Sequence, residues 1–182
     1  MEINSSTRKF FINTLFDSTF TLLGVVSGSA FTIHPDVRVI LMTLITSSIA
    51  LGISSGVSVY EAEKLEGEKD VDAIEEAMIH SLENTVHTES LHRDAWMSSI
   101  IVFITPLFSC LISATPFVFS RLGVLSIENA AWLSIGLSLS TLFVAGTVMA
   151  NNGSMNPLHR GIRMAFFGLV AFLIGFFLDS LI

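Results

Sequence analysis

The sequence predicts an all-α integral membrane protein: five transmembrane helices with a cytoplasmic, helical, acidic insert between the second and the third. Three observations carry this expectation. Of the 182 residues, 51% are hydrophobic, and they fall in runs long enough to cross a bilayer, which takes about 20 residues each. The charge is segregated, since residues 61–94 hold 11 of the 16 carboxylates and three of the five histidines, a density that cannot stay in hydrocarbon. Small and hydroxyl side chains recur within the apolar runs at steps of three and four, the period of a helix face that packs against another helix. The chain therefore divides into residues 1–60 with the first two spans, 61–95 with the insert, and 96–182 with the last three.

Composition also excludes several function classes. The formal net charge of -7 is concentrated in the insert, and no basic patch with interleaved aromatics occurs, so nucleic acid is not an expected partner. Cys110 is the single cysteine. An internal disulfide and a zinc finger are both excluded, and Cys110 reads as packing. No nucleophile motif, phosphate-binding glycine loop, dinucleotide fingerprint or HExxH pair is present, which argues against an enzyme and against an organic cofactor.

The elements follow in order. Arg8 and Lys9 stand immediately before the first apolar run, Phe10 to about Ile33, and predict a cytoplasmic N-terminus. That run is too long for a signal-peptide core and reads as a retained span. Asp17 lies inside it, roughly 10 Å along the helix from Phe10. An ionised Asp at membrane depth costs about 2.5 to 3.5 kcal/mol on insertion scales. Asp17, Thr21, Gly24 and Gly28 share one helical face, so the carboxylate either packs against another helix or lines a polar path. A protonated or interface-solvated Asp is the alternative.

The second span runs from Val37 to about Tyr60. Thr43, Ser47, Ala50, Ser54 and Ser58 form one face, and Gly52 and Gly56 repeat the small-residue step of Gly24 and Gly28, which predicts close approach of the first two helices. Close packing explains these residues by itself. A stripe of weak oxygen ligands beside Asp17 and Thr21, including Ser47, Ser54 and Ser55, also suits a cation that must be able to leave.

In the insert, Asp72, Glu76, His80, Glu83 and His87 recur at steps of three or four, with Glu75 beside them, while Ile74, Met78, Leu82 and Val86 form the opposite stripe. Carboxylates and neutral imidazoles on successive turns can converge on a cation, and such a set of oxygen and nitrogen donors suits Fe(II), Mn(II) or Zn(II) as transported substrate. A solvated face on an amphipathic helix is the alternative. The third span, about Trp96 to Ser120, contains Pro106 and Pro116, expected to kink or break it, and Trp96 is placed as an interfacial anchor. The fourth span, about Ala130 to Ala150, carries Ser134, Ser138, Thr141 and Ala145 on one face for helix contact. Arg160 and Arg163 open the last, Gly161 to Ile182.

With five spans, Arg8, Lys9, Lys64, Lys69, Arg93, Arg160 and Arg163 fall on the cytoplasmic side, against Arg38 and Arg121 outside. That bias is the one expected from the positive-inside rule, and it puts the insert in the cytoplasm.

The stretches Phe16-Asp17-Ser18-Thr19-Phe20-Thr21-Leu22-Leu23-Gly24-Val25-Val26-Ser27-Gly28 and Ala50-Leu51-Gly52-Ile53-Ser54-Ser55-Gly56-Val57-Ser58-Val59-Tyr60 resemble motifs of the vacuolar iron transporter family. That family runs an Asp-Gly-type motif into a Gly-Val-Val-x-Gly step in its first span and carries Gly-x-Ile-Ser-x-Gly near a Glu-Tyr in its second. The layout is similar over nearly the whole chain, down to a last span that starts from arginines and carries Gly168 and Gly175. The resemblance implies a dimeric antiporter that exports Fe(II), and with it Mn(II), from the cytoplasm in exchange for protons, along a pathway between the subunits. Asp17 falls on the family's pathway aspartate. Ser55 stands where the family usually has a methionine, Ser47 where it has a glutamate, and Val59 where the Glu of Glu-Tyr would be. The insert is shorter than the family's three-helix metal-binding domain. A membrane-anchored metal-sensing or interaction module that keeps the fold without transport is the alternative function, and a carrier for another solute is a third.

Overall fold

The computed structural model describes residues 5–78, 86–150 and 156–181. They form five helices: α1 (Ser5–Ala30), α2 (Val37–Met78), α3 (Val86–Arg121), α4 (Ile127–Ala150) and α5 (Pro157–Leu181). Each contains a segment long and apolar enough to cross a membrane. The described residues contain no strand.

Local chemistry sets the helix ends. Asp36 caps α2, its carboxylate accepting the Arg38 N–H at 2.8 Å and its carbonyl that of Ile40 at 3.0 Å, which satisfies donors that have no partner inside the helix. Ser126 does the same for α4, accepting the Asn129 N–H at 3.3 Å. α3 stops at Gly123, whose φ of 79° supports a Schellman turn in which Val124 donates to Phe119 and Gly123 to Ser120. α5 begins earlier than expected, on Pro157, because a proline at the first helical position has no N–H to leave unsatisfied.

α1 is the central helix and touches all four others. Leu22, Leu23 and Val26 on it are fully buried, together with Ile40, Leu44, Phe117 and Leu142 from its neighbours. Cys110 is buried and free, in keeping with a packing role. At the end of the bundle where α1 finishes, Phe31 makes edge contacts with Trp132 and Phe176 at ring separations of 5.4 Å each. α5 closes on its neighbours through glycines. A Cβ on Gly146 would lie 3.0 Å from the Gly161 Cα, and one on Gly175 would run into Ser27.

α1 and α2 are in contact, but the glycine step of α2 expected to serve this contact meets a different neighbour. A Cβ on Gly52 would lie 2.7 Å from the Phe103 carbonyl oxygen, and one on Gly56 3.3 Å from the Phe103 Cβ, so this glycine step serves α3. The Ser99 hydroxyl adds a 2.8 Å bond to the Gly56 carbonyl. Gly24 and Gly28 meet nothing within 4 Å. A small-residue step says that something approaches closely, without naming the neighbour.

α2 and α3 are antiparallel partners over much of their length. α2 has 42 residues and is therefore about 63 Å long, twice the roughly 30 Å of hydrocarbon it has to cross. The charged segment is thus a continuation of both helices. The seam follows it, for Gly67 is buried a further three turns beyond Gly56. Pro106 and Pro116 lie inside α3 without breaking it, and the hydroxyls of Thr105 and Thr115 beside them bond the Ile101 and Leu111 carbonyls at 2.8 and 2.6 Å.

Candidate metal pathway

Hydroxyl-bearing residues are sorted into two groups. The first is a buried seam. Thr7 pairs with Ser98 at 2.8 Å, Ser18 with Ser109 at 3.0 Å and Ser113 with Ser138 at 2.9 Å, and Ser134 donates to the Ser113 carbonyl at 2.7 Å. These groups tie α1 and α4 to α3 and offer nothing to a ligand. The expected contact face of α4 is realised here, with Ser134, Ser138 and Ala145 buried.

The second group faces outward. On α1, Asn13, Asp17, Thr21 and Gly28 are exposed and Gly24 is half-buried, a stripe repeating every three or four residues. The span on α1 starts at Thr7, so Asp17 lies about 15 Å into it, near the middle of the hydrocarbon. The Thr21 hydroxyl donates to the Asp17 backbone carbonyl at 2.8 Å, and Asp17 is exposed on the side of α1 opposite the buried Leu22, Leu23 and Val26. Asn13 was not singled out by the motif. It lies one turn from Asp17, and that spacing was the signal for it.

On α2, Ser54 is exposed and Ser47 and Ser55 are half-buried. Their neighbours Thr43 and Thr46 turn their hydroxyls back onto Val39 and Met42 at 2.8 Å each. By helical spacing Ser47 and Ser54 lie within about 40° of the buried Ile40, while Ser55 lies about 80° round the helix from Ser47, beyond the buried Leu44. The members of both stripes are exposed or half-buried.

Of the expected ligands in the charged segment, Asp72, Glu75 and Glu76 lie on the last turns of α2 and His87 on the first turn of α3, with side chains outside the described residues. His80 and Glu83 lie wholly outside them. Among the described residues no three His, Cys, Asp or Glu side chains converge, and Lys64 and Glu68 form an exposed pair at 3.9 Å of the kind that contributes little. Trp96 stacks at a tilt on Tyr60, ring centres 5.4 Å apart, where the span of α3 begins at Ala95. That is the level expected of an interfacial anchor.

Residues 61–179 match the family model described as the VIT family, a stretch that takes in the charged part of α2 and nearly all of α3 to α5. The chain belongs to the VIT family. Its motifs in α1 and in the first half of α2 lie outside the matched stretch, while the charged segment lies inside it. An uncharacterized protein of Methanocaldococcus jannaschii is 23% identical over 181 residues, covering 96% of this chain and 90% of that one, so the similarity extends over α1 as well. As a VIT family member with five spanning helices, the chain is a multi-pass integral membrane protein of a metal-transporter family, which is not a family of enzymes.

Proposed function

We propose that the protein moves Fe(II), and also Mn(II), out of the cytoplasm in exchange for protons, as a homodimer whose pathway runs between two α1 faces. The observation that carries this reading is the outward position of Asp17 at mid-span. A carboxylate facing lipid there costs several kcal/mol, and a second copy of the same face removes the lipid and supplies a second carboxylate. Gly24 and Gly28, open on that side, let two helices approach closely. Protons and a divalent cation then compete for one set of oxygens, and release of the metal on the far side lets protons rebind and return. Thr21, Ser47, Ser54 and Ser55 supply weak oxygen ligands along the way. The lysine and arginine bias supports a cytoplasmic hairpin, where Asp72, Glu75, Glu76, His80, Glu83 and His87 collect the ion. A second reading rests on Ser47 and Ser55, which replace the family's glutamate and methionine: a metal-sensing module that has kept the fold and lost transport.

Reconstitution into liposomes, with metal entry followed by a trapped dye and proton movement by a pH dye, tests both readings. The parent protein is expected to move Fe(II) and Asp17→Asn to move none, with both proteins equally folded. A parent that binds metal and moves none favours the sensor. An Asp17→Asn variant that transports like the parent removes Asp17 from the pathway.

A further inference from the structure

The polar stripe on α1 carries one more side chain, to which the proposed pathway gives no role. Asn13 is exposed, six residues from the start of the span at Thr7 and so about 9 Å inside it. It leaves the helix about 40° to one side of Asp17, while the buried Ile12, Leu15, Leu22, Leu23 and Val26 leave it about 120° or more away. The asparagine therefore faces out of the bundle, into hydrocarbon.

An amide there has much to satisfy. It carries two N–H donors and a carbonyl oxygen with two lone pairs. Thr21 and Thr43, on the same outer surfaces, settle their hydroxyls on carbonyls of their own helices, whereas the Asn13 side chain makes no hydrogen bond to any described residue. Lipid tails offer neither donor nor acceptor, so the amide is left to a group from outside the chain.

Symmetry identifies that group. Copies of a multi-pass protein sit in the membrane in one orientation, so the two-fold axis of a dimer runs along the membrane normal, and each residue on the shared face meets its own counterpart at the same depth. For Asp17 this sets like charges together, a pairing that waits on protons or a cation. For Asn13 it is self-complementary, because each amide donates an N–H to the carbonyl oxygen of the other.

We infer that Asn13 pairs with Asn13 of a second copy through two reciprocal amide hydrogen bonds, one turn from the Asp17 pair on the hairpin side. This rests on the reading of α1 as the subunit face. One asparagine between paired helices fixes their register, since a slide or a rotation breaks both bonds. Asn13 is thus a positioning residue that holds the two Asp17 carboxylates level with each other, with or without an ion between them.

The test is a dilution series of the full chain in lipid vesicles, with the dimer fraction read by energy transfer between labelled subunits. Asn13→Leu should weaken association about tenfold, the scale of an interhelical amide bond in a membrane, and Asn13→Gln, which keeps the amide, should recover most of that loss. Asn13→Cys should crosslink to itself under mild oxidation, because Cys110 is buried and does not compete. A dimer weakened by Gly28→Leu and unchanged by Asn13→Leu keeps the subunit face and overturns the Asn13 pair. Leucine and glutamine variants that weaken it equally, or an Asn13→Cys chain that fails to crosslink, overturn the pair as well. A parent that is monomeric at all dilutions overturns both the pair and the subunit face.

Discussion

The hydroxyl seam around α3 and the polar stripe on α1 and α2 are built from the same residue types and behave in opposite ways. In the seam, hydroxyls reach across to another helix, as in Ser18 with Ser109 and Ser113 with Ser138, even where, as at Ser18, they also bond a carbonyl of their own helix. On the stripe they fold back onto their own helix, as in Thr21 onto Asp17 and Thr43 onto Val39. A polar group in hydrocarbon has to find a partner, and the choice of partner separates the two roles. Cross-helix bonds hold the bundle together. Groups satisfied within one helix leave its outer surface free to meet something else.

Substitutions can break this contrast in either direction. The largest effect is expected at Asp17, where Asn reduces metal-driven proton movement in liposomes to background without changing thermal stability; a large loss of stability instead would place Asp17 with the seam. Next come the two classes of glycine. Gly175→Leu drives a side chain into Ser27 and should cost about 1–3 kcal/mol or more as an overpacked contact, read as a lower melting temperature in detergent. Gly28→Leu meets open space, so it should leave the melting temperature unchanged and weaken dimerisation on the order of tenfold, about 1.4 kcal/mol, in a dilution series. Equal effects of the two would erase the distinction between packed and open faces.

Ser109→Ala removes the partner of Ser18 and should cost roughly 0.6–2 kcal/mol, with transport retained per folded molecule. Ser54→Ala should do the reverse, leaving stability alone and changing the rate of metal movement. The smallest effect expected is graded with pH. Metal affinity of the hairpin, measured by calorimetry, should fall as pH drops through the range near 6.5 where free imidazole takes up a proton, because only the neutral ring can ligate. His80→Ala with Glu83→Ala should weaken the binding and flatten that dependence.

The five helices were legible because spanning length and apolar run leave few alternatives. Their partners were less so. Gly52 and Gly56 announced a close approach, but the period is the same whichever neighbour fills it, and adjacency in sequence pointed to α1 where Phe103 of α3 is the occupant. Asp17 was legible as an anomaly in a span, and its outward direction followed only once Leu22, Leu23 and Val26 on the other side of α1 were seen to be buried. The seam was half legible. Ser134 and Ser138 stood out on α4, while Ser98, Ser109 and Ser113 were hidden in a span that the two prolines made look broken.

That α2 is one uninterrupted helix from Val37 to Met78 has a mechanical consequence. A rod of hydrogen-bonded turns resists bending at any single point, so its membrane half and its charged half can only tilt together. A tilt of about 5° in the bilayer displaces a point 30 Å further along by roughly 2.6 Å. The Gly52 contact with Phe103 lies near the fulcrum of that motion, and it is tight enough to hand the movement on to α3. The charged tip and the membrane stripe are two ends of one lever.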